Sequence, residues 1–223
     1  MKVAAAILTY NATSAGRLPL LRACHASLAA EADEVIVVDN GSSDGSGDWV
    51  DWLGGVAHRG SLHTSGHGTN LLYRVLQATG ADIAVHSDDD MLWQPGWRRK
   101  LERWWSEAPE DVVLTGCHLE GRWPWNEIHA KVTFGGIPGF ARFSTGAASW
   151  SYRLADGPKI FPIPQQVQGF GDVPACDKLG QDGFRICQID LATHEGKEST
   201  WGNQTANRYG DGDLAGVRAE VAA

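Results

Sequence analysis

The sequence predicts an α/β fold, with a mostly parallel sheet carrying helices on both faces and a smaller mixed or antiparallel portion toward the C-terminus. Three observations predict it. Apolar runs of strand length in the first half are continuous rather than alternating, as strands buried on both faces require. Segments of helical period separate those runs, which is the pattern of a parallel sheet with crossover helices. Three of the runs end in polar clusters, and in such sheets ligands bind beyond the carboxyl ends of the strands.

Taken in order, VAAAIL (3–8) is the first strand, and Leu21, Cys24 and Leu28 then recur at helical spacing. EVIVVD (34–39) is the second strand, DWVDWL (48–53) a short amphipathic helix, and VAH (56–58) a weak strand. TNLLYRVLQAT (69–79) reads as a helix, DIAVH (82–86) as a strand, PGWRRKLERWW (95–105) as a helix opened by Pro95, and VVLTG (112–116) as a strand. From His118 to Trp150 the chain is dense in Gly, Pro and aromatics, which predicts loops and short antiparallel strands. A helix over 173–182 follows, with Gly183 placed to cap it, and FRICQID (184–190) is the last strand. The expected organisation is one domain over 1–223. Residues 1–116 form the first half, 117–197 the second, and 198–223 a polar tail that is a lid or disordered.

With 223 residues, 43% of them apolar, the chain is long enough for one large core. Nineteen basic residues against 27 acidic ones give a net charge of -8, so the surface as a whole is no footprint for nucleic acid or an anionic membrane. The opening MKVAAAILTYN lacks a cleavage pattern, and no apolar run approaches the ~20 residues of a membrane span. Cys24, Cys117, Cys176 and Cys187 show no C-x-x-C spacing and read as reduced core thiols of a soluble, cytoplasmic protein.

The polar clusters carry the chemistry: Thr9-Tyr10-Asn11, the run from Asp39 and Asn40 to Asp44, and Asp88-Asp89-Asp90. Three adjacent carboxylates at the end of a buried strand repel one another, so something positive belongs there. In an extended segment Asp88 and Asp90 point to one side and Asp89 to the other. Two converging carboxylates suit Mn²⁺ or Mg²⁺, completed by substrate phosphate oxygens. The plain alternative is an acidic cap facing water.

Read together, YN after the first strand, VDNGSSDGS after the second and SDDD after the fourth resemble the nucleotide-sugar-binding half of family 2 glycosyltransferases, whose GT-A fold is built on a Rossmann-like sheet. TGAASWS, GDVPACDKLGQDGFRI and THEG extend the resemblance to about residue 197. It implies a metal-dependent transferase that moves a sugar from a nucleotide-diphosphate sugar, most commonly UDP-linked, to an acceptor hydroxyl. On that resemblance Thr9, Tyr10 and Asn11 surround the base, and Asp39, with Asn40 beside it, bonds base or ribose. Asp88 and Asp89 lie near the ribose and metal, and Asp90 is the principal ligand of the DxD motif. Asn70 is a diphosphate-side contact, or simply a helix cap. Asp172 is the general base of an inverting transfer, and His194 is a further metal or phosphate contact.

Four positions depart from the family pattern: Gly171 stands where Glu is usual, Pro174 where a second acid is usual, and Asp177 and Lys178 where an apolar-basic pair is usual. They leave Asp177 as a rival base. Two alternatives stay open: a GT-A-like nucleotide- or sugar-binding module without turnover, motivated by Gly171, and a sugar nucleotidyltransferase, whose chemistry also uses α/β sheets and acidic metal ligands but wants a Gly- and basic-rich loop after the first strand, for which Arg17 alone is thin evidence. The acceptor is open among small molecule, glycan, protein and modified nucleic-acid base. His63 and His67 read as loop residues. Trp49, Trp52, Trp97, Trp104 and Trp105 read as core by their helical spacing, whereas Trp93, Trp123, Trp125 and Trp150 fall in or near the site loops, where core packing competes with stacking on a sugar or base.

Overall fold

The computed structural model describes residues 1–58, 60, 62–117, 128–142, 145, 149–164 and 172–194. Its strands are β1 (Val3–Thr9), β2 (Glu34–Asp39), β3 (Val56–Ala57), β4 (Ile83–Asp88), β5 (Met91–Trp93), β6 (Val112–Cys117), β7 (Ile128–Phe134), β8 (Ile137–Arg142), β9 (Ser149–Arg153), β10 (Arg185–Ile189) and β11 (Ala192–His194). Its helices are α1 (Leu18–Ala29), α2 (Ser46–Trp52), α3 (Ser65–Thr79), α4 (Trp97–Glu107), the short α5 (Gly157–Ile160) and α6 (Asp172–Gln181).

Nine strands form one sheet in the order β3-β2-β1-β4-β9-β6-β10-β8-β7, so it draws on both halves of the chain. β1, β2, β3 and β4 are mutually parallel, as the continuous apolar runs predict. β9 runs antiparallel between β4 and β6, and β7 and β8 form an antiparallel edge beside β10. Apolar side chains above and below the sheet make two cores. One holds Leu21, Cys24 and Leu28 of α1 with Trp97, Leu101 and Trp104 of α4, and the other holds Leu72 and Leu76 of α3 with Leu179 of α6. All four cysteines are buried free thiols, and among the described residues no helix is long and apolar enough to cross a membrane.

Register fixes the carboxyl edge of the sheet. Thr9 lies opposite Asp39, and Leu8 lies opposite Asp88, so the ends of β1, β2 and β4 stand level. The small second sheet, β5 with β11, places His194 opposite Met91, the residue after Asp90. Neither of its strands follows from hydrophobic periodicity, since each has three residues and their partners are a hundred positions apart.

Several expectations are corrected. Helix α3 begins four residues earlier than its apolar period suggests, because Thr64 takes the extended cap conformation and its hydroxyl accepts from the His67 amide at 3.1 Å. Asn70 is therefore no cap. It is buried in the second turn, where its Nδ2 donates to the Ile163 carbonyl at 2.6 Å and its Oδ1 accepts from the Ile163 amide at 2.9 Å. Gly66 completes that seam, for a Cβ there would sit 2.2 Å from the Pro164 carbonyl oxygen. Trp52 is 76% exposed, packed edge-on against Trp49 rather than in the core. Trp93 and Trp150 are buried in strands, so neither presents a stacking face, while Trp123, Trp125 and the 198–223 tail lie outside the described residues.

His86 on β4 is wholly buried among Trp150, Tyr152 and Phe161, with Nε2 2.8 Å from the Tyr152 hydroxyl. Burial lowers its pKa to about 3, so the folded protein holds it neutral.

Two outcomes are expected. Asn70→Ala removes the partner of both Ile163 backbone groups and lowers stability by about 1–3 kcal/mol for each, measured by urea unfolding. For His86, a folded pKa below the unfolded value of 6.5 contributes stability that is complete above 6.5 and lost as pH falls toward 3. The melting temperature of the parent therefore drops more between pH 7 and 5 than that of His86→Gln, which keeps a partner for Tyr152 but does not titrate.

Candidate active site

Beyond the level ends of β1 and β4 lies a cleft of about 400 Å³, lined by Leu8, Thr9, Tyr10, Asn11, Ser14, Ala15, Arg17, Asp88, Asp89 and Asp90. It brings together six of the expected positions from two distant segments, Thr9, Tyr10 and Asn11 from the first, Asp88, Asp89 and Asp90 from the second. Asp39, Asn40 and Asn70 are not part of the lining; each is buried behind it or away from it.

The acidic triplet is not arranged as an extended strand would arrange it. β4 ends at Asp88 and the chain turns at 89–90, so all three carboxylates border the cleft. Asp89, expected to point away, is turned inward and buried. Its Oδ2 accepts from the Thr9 hydroxyl at 2.7 Å, and its Oδ1 lies 3.3 Å from Arg17 Nε. Burial raises the Asp89 pKa to about 6, against the lowering pull of Arg17 and the Thr9 hydrogen bond. Thr9 is almost wholly buried where it lines the cleft, and its hydroxyl supports Asp89. Among the described residues that line the cleft, Arg17 is the one cation. It stands eight positions after the end of β1, and its sequence context, a lone basic residue in a loop, does not tie it to the triplet; only the triplet's demand for a positive neighbour points that way.

The loops after β1 and β2 are sewn together. The Asp39 carboxylate accepts from the Ser42 amide at 3.0 Å and from the Ser42 hydroxyl, which in turn accepts from the Asn11 amide at 2.8 Å. Asn11 holds a left-handed backbone, φ 51, which Asn tolerates better than most residues, and its Oδ1 accepts from the Ser43 amide at 2.9 Å. Asp44 accepts from the Ser14 amide at 2.6 Å and from Ser46. Although burial works in the opposite direction, these bonds hold its pKa down at about 2. Asp39 therefore acts on the cleft through Ser42 and Asn11.

Behind Tyr10 stands a layer of histidines. The His63 ring stacks on Tyr10 with centroids 5.8 Å apart, and its Nδ1 donates to the Asn40 carbonyl at 3.0 Å. His58 lies against both His63 and His67, at 6.2 and 4.4 Å. His67 belongs to the first turn of α3 and is buried, which corrects its reading as a loop residue. Gly41, at φ +82, lets His63 approach, since a Cβ there would lie 2.3 Å from its ring.

Among the described residues, no group of three His, Cys, Asp or Glu side chains is arranged to enclose a metal ion. Asp88 and Asp90 line the cleft, and β11 pairs His194 with Met91, so these are the candidates to hold a hard divalent cation that takes its remaining ligands from substrate oxygens. Asp172 is the first residue of α6. That helix packs against β10, the strand that follows it. Asp177 is exposed further along the helix.

These features agree with comparisons to known proteins. The mannosyltransferase PcManGT from Pyrobaculum calidifontis, in complex with GDP-Man and Mn²⁺, superposes with a TM-score of 0.64 at 18% identity, over 93% of this chain and 60% of that one. S. aureus TarS gives 0.59 at 18%, over 89% and 37%. Glucosyl-3-phosphoglycerate synthase from Mycobacterium tuberculosis, in complex with Mn²⁺, UDP-Glc and phosphoglyceric acid, gives 0.57 at 16%, over 93% and 76%. The chain therefore spans little more than a third of TarS and three-fifths of the mannosyltransferase. At these identities the likeness establishes the fold, which is GT-A. No curated protein sequence matches. The family model for glycosyl transferase family 2 matches residues 5–148, well over half of the chain, and the protein belongs to that family.

Proposed function

We propose that this protein transfers a sugar from a nucleotide-diphosphate sugar to an acceptor hydroxyl, with a divalent cation held at Asp88 and Asp90. The observation that carries the reading is the cleft itself. An aromatic ring and backbone-rich loop at the end of β1 face carboxylates at the end of β4 across a space of about 400 Å³, which suits a base and ribose at one side and a diphosphate at the other. Structural neighbours with UDP-Glc or GDP-Man and Mn²⁺ support the donor class, and UDP is the donor nucleotide we favour.

Tyr10 offers its free edge and face to the base, held from behind by His63. Asn11 and Ser14 supply polar groups along the same wall. Asp90 and Asp88 would hold Mn²⁺ or Mg²⁺, with His194 as a further ligand. Such an ion would supply a positive charge that stabilises the departing diphosphate. Asp172 takes the proton of the acceptor hydroxyl as it attacks the anomeric carbon from the opposite side, so that configuration inverts. The net balance is one glycosidic C–O bond formed, one sugar–phosphate C–O bond broken, and the acceptor proton delivered to Asp172.

A second reading, a nucleotide-sugar-binding module without turnover, is motivated by Gly171 and Pro174 around the proposed base. One pair of variants separates the two. Asp90→Ala is expected to abolish manganese-dependent donor binding. Asp172→Asn is expected to bind donor as the parent does and to lose at least about 100-fold in transfer or donor hydrolysis, the lower range for a general base. Full turnover by Asp172→Asn contradicts the base assignment, and a parent that binds donor without turning it over under any acceptor favours the module.

A further inference from the structure

The Arg17 guanidinium touches both sides of the cleft. Nη2 donates to the Tyr10 carbonyl at 2.7 Å, and Nε stands 3.3 Å from Asp89 Oδ1. Arg17 is itself mostly buried, with its side chain 18% exposed, and its Nε–H lacks a hydrogen bond of good geometry, so its approach to Asp89 is electrostatic. The Arg17 amide is also fixed, donating to the Ala12 carbonyl at 2.7 Å where the loop turns into α1.

Charge gives this contact its meaning. Three carboxylates border the cleft, and among the described residues that line it Arg17 is the one cation. Its pairing with Asp89 offsets one of the three negative charges gathered there. A triplet without Arg17 would attract a cation on its own, with no need of a diphosphate, and the Tyr10 peptide would lose its tie to the acidic side.

Resting on the donor reading above, we propose that Arg17 is a positioning residue that couples the two ends of the donor site. By holding the Tyr10 backbone and the Asp89 carboxylate in one arrangement, it makes nucleotide binding and cation binding depend on each other. Asp89 accordingly belongs to this clamp and not to the metal ligands.

The test is a double-mutant cycle on Arg17→Gln and Asp89→Asn. Mn²⁺ affinity is read by electron paramagnetic resonance without nucleotide, and UDP and GDP affinity by calorimetry with and without Mn²⁺. Thermal unfolding of each apo protein sets the folded fraction. Each single variant is expected to cut the manganese-dependent gain in nucleotide affinity about tenfold, and the double variant to be no worse than either, as residues acting in one unit behave. Manganese bound alone should not weaken in Arg17→Gln. A purely structural role would instead lower manganese and nucleotide binding together, in step with the folded fraction. An unchanged gain in Arg17→Gln, or losses that add to about a hundredfold in the double variant, overturns the proposal. A parent protein that binds no nucleotide with Mn²⁺ refutes the donor reading itself, and that failure is distinct because no variant is needed to see it.

Discussion

The arrangement of the site depends on how this fold accommodates three adjacent carboxylates at the end of a buried strand. Like charges in a poorly solvated place raise one another's cost, and the chain answers by turning at 89–90 and burying the middle one. Asp89 takes a hydroxyl from Thr9 and a guanidinium from Arg17, which draws the end of β1 and the start of α1 against the end of β4. Everything else around the cleft follows from that closure. Tyr10 is fixed through its carbonyl, and Asn11 is pressed into a left-handed turn that the β2 loop then sews in place.

The strand register makes the closure possible. Because Thr9 pairs with Asp39 and Leu8 with Asp88, the three loops that a nucleotide would touch leave the sheet at the same height. The two halves of the chain contribute unequally. The first supplies the cleft wall, whereas the second supplies β9 beneath it, β11 alongside Asp90, and α6 with Asp172 at its first position. This division fits a family in which the donor side is built from early motifs.

Much of this was legible in the sequence, and the reason differs by element. The parallel strands and α1 were readable because burial on two faces demands unbroken apolar runs and a helix demands apolar residues at Leu21, Cys24 and Leu28. That the clusters Thr9–Asn11 and Asp88–Asp90 border one cleft was readable because clefts in such sheets form beyond the carboxyl ends of the strands. What could not be read depends on long-range contacts. Asn70 looked like a helix cap, yet its amide is taken by Ile163, 93 residues away. Trp52 shares its spacing with core tryptophans, but α2 is short and packs by the edge strand β3, and among the described residues nothing covers its outer side. Asp39 carries a family motif, and only the loop geometry reveals that Ser42 stands between it and the cleft. Arg17 is a lone basic residue in its loop, a thin signal by itself; the repulsion within the triplet implied something positive, and the tertiary structure places Arg17 beside Asp89.

The central claim is that the ends of β1 and β4 form one site for a nucleoside diphosphate and a divalent ion. The most direct measurement is calorimetric titration of the protein with UDP and GDP in Mn²⁺, repeated after EDTA. The account predicts saturable binding of one of them that EDTA abolishes and fresh Mn²⁺ restores. Binding that is indifferent to EDTA, or no binding of either nucleotide, would contradict it.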